Sequence, residues 1–147
     1  MKSDRVQSDK ESIVHEHAQL RHIFDSVRET LLARQATPQV IAALTVELSS
    51  HVKQHFDHEE QGGYFEEAIE LAPRFSDRAK LLLQQHLELA AQLDELQQHA
   101  DSSSEIGPWW AQLTQLFDEF MHRFLAHEEA ENALLLQVYN EDIGAED

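Results

Sequence analysis

Apolar residues return along this chain at steps of three and four. Ile13, Leu20, Phe24, Val27 and Leu31 form one stripe, with His17 inside it. Ile41, Leu44, Leu48 and Val52 form a second, which runs on into His55 and Glu59. Leu82, Leu89, Leu93 and Leu96 form a third, interrupted by His86. Leu113, Phe117, Phe120, Phe124, Leu134 and Val138 form the fourth, interrupted by His127 and Glu131. Steps of three and four keep residues on one side of an α-helix, so each stripe predicts a helix with one buried face.

Turn signals divide the stripes. Thr37 is suited to an N-cap and Pro38 to the first helical position. Gly62-Gly63 and Pro73 mark breaks, and Ser76-Asp77 opens a helix. Asp101 to Gly107 reads as a loop, with Pro108 starting the last helix. The predicted helices span roughly 8–35, 38–61, 76–100 and 108–138, with a short helical turn at 64–71. No stretch alternates with period two, so the chain reads as all-α. Short connections between long helices predict an antiparallel up-down-up-down four-helix bundle. Gly62-Gly63 reads as a helix end; the other reading is a bend that opens access to the core, with Tyr64 nearby.

Composition narrows the picture. A length of 147 residues suits a single domain (1–147, core about 12–138), and 41% hydrophobic residues are enough for a core. Cysteine is absent, which excludes disulfides, thiolate catalysis, iron–sulfur clusters and cysteine-ligated zinc. The chain has 28 acidic residues against 11 Lys and Arg, a formal net charge of −17. Such a surface repels phosphates, so neither nucleic acid nor anionic membrane is an expected partner, and cations are the natural ligands. The opening MKSDRVQSDKES lacks the apolar segment of a secretory signal, and no apolar run is long enough for a bilayer. The expected location is the cytoplasm.

The chemistry lies where the stripes are interrupted. His17, His55, Glu59, His86, His127 and Glu131 all sit on faces that should be apolar. Residues four apart lie one turn apart on the same face, so His55 with Glu59, and His127 with Glu131, each converge on one point. A lone histidine on such a stripe is commonly a satisfied core residue. A buried carboxylate without a partner is costly and takes up a proton instead. Four imidazoles and two carboxylates facing one interior are best satisfied together by metal ions. The pattern also repeats. EHAQLRHIFDSV aligns with QHLELAAQLDEL, pairing His17 with His86, and HFDHEE aligns with HEEAEN, pairing His55 with His127 and Glu59 with Glu131. Two copies of a helix pair, each supplying His and then His-x-x-x-Glu, would surround a two-metal centre.

The remaining histidines, of ten in all, rank lower. His51 stands one turn before His55 and is an extra-ligand or supporting candidate. His58 should point off the site, and His22 could line a cavity. His15, His99 and His122 read as surface residues. Glu60 and Glu128 read as solvated or as lying behind the ligands. Of Trp109-Trp110, one ring should cover the bundle end. A ferritin-like site needs Glu-x-x-His pairs, and the pair Glu119–His122 lies off the ligand stripe. HExxH and nucleophile motifs are absent from the sequence, which argues against a zincin protease and a serine hydrolase.

The order His17, His55-Phe-x-x-Glu59-Glu60, His86, His127-x-x-x-Glu131-Asn132 resembles the hemerythrin-like family, the HHE cation-binding domain. The resemblance spans roughly 12–138. It implies a four-helix bundle around a non-haem di-iron centre. Glu59 and Glu131 would bridge two iron ions, together with an oxo or hydroxo group, and the four histidines would be terminal ligands. Nitrogen and oxygen donors also suit manganese or zinc. The implied ligand is a small molecule: dioxygen, peroxide or nitric oxide. The chain departs from the oxygen carriers of the family. Their third helix has two histidines four apart, whereas His86 is flanked at that spacing by Leu82 and Ala90. Their fourth helix has His-x-x-x-x-Asp, whereas here it is His127-x-x-x-Glu131. The symmetric four-His, two-Glu set is closer to bacterial and sensor-type members. A di-iron oxidase or peroxidase-type enzyme, and a metal store without redox role, remain open alternatives, as does the oligomeric state.

Overall fold

A computed structural model describes the backbone of residues 2–102 and 105–146 and the side chains of 11–63, 65–102, 105–138 and 140. Ser103 and Ser104 of the expected loop, and the Tyr64 side chain, lie outside the described residues. The elements are α1 (Lys2–Ala33), α2 (Pro38–Gln61), α3 (Tyr64–Leu71), a 3-10 turn (Pro73–Phe75), α4 (Ser76–Asp101) and α5 (Ile106–Glu146). No strand occurs among the described residues. α1 begins before the expected residue 8, and α5 runs on beyond Val138.

The ends follow local chemistry. Thr37 is extended (φ −76°, ψ 157°), and its hydroxyl accepts the Val40 N–H at 3.3 Å, capping α2. Pro108 falls in the first turn of α5, where its missing N–H leaves no helical bond unmade. Both indole rings are buried, not one as expected, and each caps another helix. The Trp110 Nε1–H donates to the Leu31 carbonyl at 2.8 Å, and the Trp109 Nε1–H to the His99 carbonyl at 3.0 Å. These are last-turn carbonyls of α1 and α4, and that of His99 also accepts the Ser102 N–H at 3.1 Å and hydroxyl at 2.6 Å. His99, expected at the surface, is instead half-buried, with its ring stacked on Trp109 at a centroid distance of 6.1 Å.

α1 and α4 each pack against both α2 and α5, so the four long helices surround a shared interior. The larger part of the core holds Leu20, Phe24, Val52, Phe56, Leu89 and Phe124 with the residues around them. The smaller part holds Ile13, Phe65, Ala68, Leu82, Leu134 and Val138. Each fully buried Leu, Ile or Phe contributes roughly 1.5–3 kcal/mol from water exclusion. On α1, α4 and α5 the candidate ligands fall between residues of the first part and residues of the second. The polar layer therefore crosses the bundle between two apolar plugs.

The double glycine explains how the second plug closes. α2 stops at Gln61, directly after Glu59, and Gly63 takes φ +73° before α3 begins. That left-handed angle costs a residue with a Cβ about 1–2 kcal/mol. The turn brings Phe65 over the core, its ring 6.4 Å from that of His86. Gly62-Gly63 is a helix end, as expected, and α3 covers the polar layer where α2 would otherwise have continued.

Candidate metal centre

All six candidate ligands are buried: His17, His55, His86 and His127 at 2–6% exposure, Glu59 and Glu131 at 0%. They converge from α1, α2, α4 and α5. His17 and His55 pair edge-to-face at 4.9 Å between ring centroids, and His86 and His127 do so at 5.0 Å. Between the pairs stand the carboxylates. Glu59 Oε1 lies 3.0 Å from His55 Nε2 and 3.5 Å from His86 Nε2. Glu131 Oε1 lies 3.3 Å from His86 Nε2 and touches His127 Nε2, while its Oε2 lies 3.4 Å from His17 Nε2.

Two groups able to hold a cation follow from this geometry. His17, His55, Glu59 and Glu131 can bring one atom each within 4.8 Å of one another, and so can His86, His127 and Glu131. Glu131 belongs to both.

Two of the four outer ring nitrogens have hydrogen-bond partners, while those of His17 and His86 only face a nearby carboxylate. His55 Nδ1–H donates to Glu16 Oε2 at 2.9 Å, and His127 Nδ1–H to Gln85 Oε1 at 2.7 Å. His17 Nδ1 faces Glu128 Oε2 at 3.9 Å, and His86 Nδ1 faces Glu60 Oε2 at 3.8 Å. A proton held at Nδ1 leaves the Nε2 lone pair pointing into the cluster, the form in which imidazole binds a metal.

The interior atoms are what a cation would satisfy. His17, His55 and His127 Nε2, both Glu59 oxygens and Glu131 Oε2 have no hydrogen-bond partner among the described residues. With the imidazole protons held at Nδ1 and the carboxylates ionised, acceptor faces acceptor. Native interiors leave few such atoms and scarcely ever cluster them, and a divalent ion accepts lone pairs from all of them at once. The residues fit a metal centre on that ground.

Electrostatics agree. Burial lowers the pKa of His17 to about 4, with His55 adding to the effect, and lowers that of His86 to about 4. Burial and the neighbouring His86 lower His127 to about 3. Burial also works against a charged His55, but Glu59 and Glu16 on either side outweigh it and raise its pKa. Burial and the adjacent Glu59 hold Glu131 well above the usual carboxylate range.

A pH dependence follows for the metal-free protein. In the unfolded chain, His17, His86 and His127 charge below pH 6.5, but in the folded chain only near pH 4 or lower. The unfolded state binds more protons in that window, so folding stability must fall as pH drops from 6.5 to 4. Glu131, held well above the usual carboxylate range, and Glu128 and Glu60, raised by burial, oppose this because a raised carboxyl pKa favours the fold at low pH, but the three buried imidazoles outweigh them. Chelator-treated protein is expected to lose thermal stability progressively over this range. A melting temperature that stays level or rises between pH 6.5 and 4 would show that the imidazoles are not buried neutral.

The structure brings together all six predicted residues and sets the rest apart. His51 is exposed, 3.8 Å from Glu47, and away from the cluster. His58 is exposed and bonds Glu16 at 2.5 Å. His15 and His122 are exposed, as expected, and Glu60 is 45% exposed. His22 lines a groove between α1 and α2 that runs down to His55, as expected of a cavity residue. Glu128 lies behind a candidate ligand, one of its two expected placements, facing His17 Nδ1 at 3.9 Å. It is fully buried and paired with the Arg21 guanidinium, because its place next to His127 turns it inward against α1. Phe56, Glu16 and Gln85 were not singled out in sequence. Phe56 lies flat on the His86 ring, 4.1 Å between centroids and 9° between planes. Its signal was its place one turn after Val52. Glu16 and Gln85 had a signal too: each precedes a site histidine at matching places in the repeat.

A helical bundle with imidazoles and carboxylates converging in its interior is the construction of a cation-binding helical protein. The family model of the hemerythrin HHE cation binding domain matches residues 8–138. The chain belongs to that family. Comparison with curated proteins and with solved structures gave no significant match. No helix among the described residues is long and apolar enough to cross a membrane.

Proposed function

We propose that this protein is a single-domain, antiparallel bundle that holds two iron ions and binds or senses dioxygen, peroxide or nitric oxide beside them in the cytoplasm. The observation that carries this reading is the shared position of Glu131, which belongs to both groups able to hold a cation. A carboxylate common to two such groups is the natural bridge of a two-metal centre. His17, His55, Glu59 and Glu131 would hold one ion, and His86, His127 and Glu131 the other. Bound iron would supply a redox-active Lewis acid with affinity for small oxygen- and nitrogen-containing ligands.

The protein's own residues set the terms of access. Phe56 and Phe65 wall the His86 side, and every ligand is buried, so only a small molecule can enter. The groove lined by His22, His51 and Gln54 reaches His55 and is the natural approach. The net charge of −17 disfavours phosphate-bearing partners such as nucleic acid.

The test is metal content per chain after expression with iron, followed by visible spectra under nitrogen, oxygen and nitric oxide. Two irons per chain and a spectrum that changes with the gas and returns on its removal are expected. Net consumption of oxygen or peroxide would replace the binder with a di-iron enzyme. Equal uptake of zinc or manganese without a gas-dependent spectrum would leave a metal store.

A further inference from the structure

We infer that Glu16 and Gln85 make the two metal positions unequal, so that the position served by His55 fills before the position served by His127. The inference rests on the two-metal reading above and concerns how this chain tunes it. Each of these residues stands one place before a site histidine of its own helix, yet supports a histidine on the neighbouring helix. Glu16 on α1 accepts from His55 on α2, and Gln85 on α4 accepts from His127 on α5. The two contacts occupy matching places in the internal repeat and have nearly equal lengths, 2.9 and 2.7 Å. What differs is charge.

A carboxylate draws the Nδ1 proton toward itself and enriches the imidazole in electron density, while an amide oxygen does so weakly. His55 is thereby the stronger donor at Nε2. On the His55 side, the buried Glu128 carboxylate also faces His17 Nδ1 at 3.9 Å, with its charge partly balanced by the Arg21 guanidinium. On the His127 side the corresponding group is Glu60, at 3.8 Å from His86 Nδ1 but 45% exposed, where water screens its charge. The group containing His55 also includes both carboxylates, and the group containing His127 includes Glu131 alone. One position is richer in charge and donors, and the other is left with fewer.

Titration of the full metal-free chain with Co(II), followed by visible absorption and calorimetry, separates the two positions without any activity assay. Two steps differing at least about 10-fold in affinity are expected. Glu16→Gln keeps shape and acceptor oxygen but removes the charge, and should weaken the first step about 10-fold or more while leaving the second near its original value. Gln85→Glu should strengthen the second step by a similar factor and bring the two steps together. Because the swaps act in opposite directions, a folding fault in one variant leaves the other decisive. Glu47→Gln removes an exposed charge from α2, beside His51, and should leave both steps within about 2-fold. Steps unmoved by both swaps, or a Glu47→Gln effect equal to that of Glu16→Gln, would overturn the inference alone. A wild-type chain that takes up no cobalt would overturn the two-metal reading and this inference with it.

Discussion

Glu131→Ala is expected to strip the protein of metal at both positions, whereas Glu59→Ala should leave roughly half. The asymmetry comes from geometry. Glu131 lies within reach of His17, His86 and His127, and belongs to both cation-holding groups. Glu59 belongs to the His17–His55 group alone. Loss of a ligand or of its hydrogen-bonded support typically lowers metal affinity about 10–100-fold, and Glu131 would impose that loss twice. Metal per chain, measured by mass spectrometry after identical iron loading, reads the result directly. The metal-free Glu131→Ala protein should be no less stable than the metal-free parent. In the parent, burial and the adjacent Glu59 make an ionised carboxylate at this place costly, and alanine relieves the crowding. Full metal content in Glu131→Ala would remove the bridging role, and equal losses in the two variants would remove the asymmetry.

Phe124→Ala should cost about 3–5 kcal/mol of folding stability in the metal-free protein, the range for deleting a buried aromatic ring. Phe124 is fully buried on α5, one turn before His127. Its ring centroid lies 4.9 Å from Phe24 on α1, 6.1 Å from Phe56 on α2 and 5.9 Å from Phe120 on its own helix. Alanine would leave a void that three helices cannot collapse together without moving the site. Urea denaturation followed by circular dichroism measures the cost. Metal affinity should fall as well, because Phe56, which rests on both Phe124 and His86, loses one of its supports. A cost below about 1.5 kcal/mol would mean that this part of the core repacks freely, and that the plug does not position the ligands.

Much of the site was legible before any coordinates. His55 with Glu59, and His127 with Glu131, stand one turn apart, and a one-turn spacing survives any tertiary arrangement. His17 and His86 could be placed because each replaces an apolar residue within a regular stripe. Residues just off the stripes were harder to read. Glu128 sits beside His127 in sequence, and only the neighbouring α1, with Arg21, shows that it is buried. His99 looked like a surface residue because nothing near it in sequence reveals Trp109 stacked against it from α5. Phe56 sits beside a candidate ligand in sequence, but its contact with His86 depends on how α2 faces α4.

By itself the sequence determined that this protein is helical, where most of its helices begin and end, and that six imidazoles and carboxylates share buried faces. Those features depend on the periodicity of single helices and on the chemistry of their caps, which neighbouring residues encode. Only the tertiary structure decided that Glu131 serves both groups while Glu59 serves one, that Glu16 and Gln85 meet the outer nitrogens of histidines on other helices, and that α3 folds back over the polar layer. These depend on the rotation and offset of one helix against another, and no pattern within a single helix specifies them.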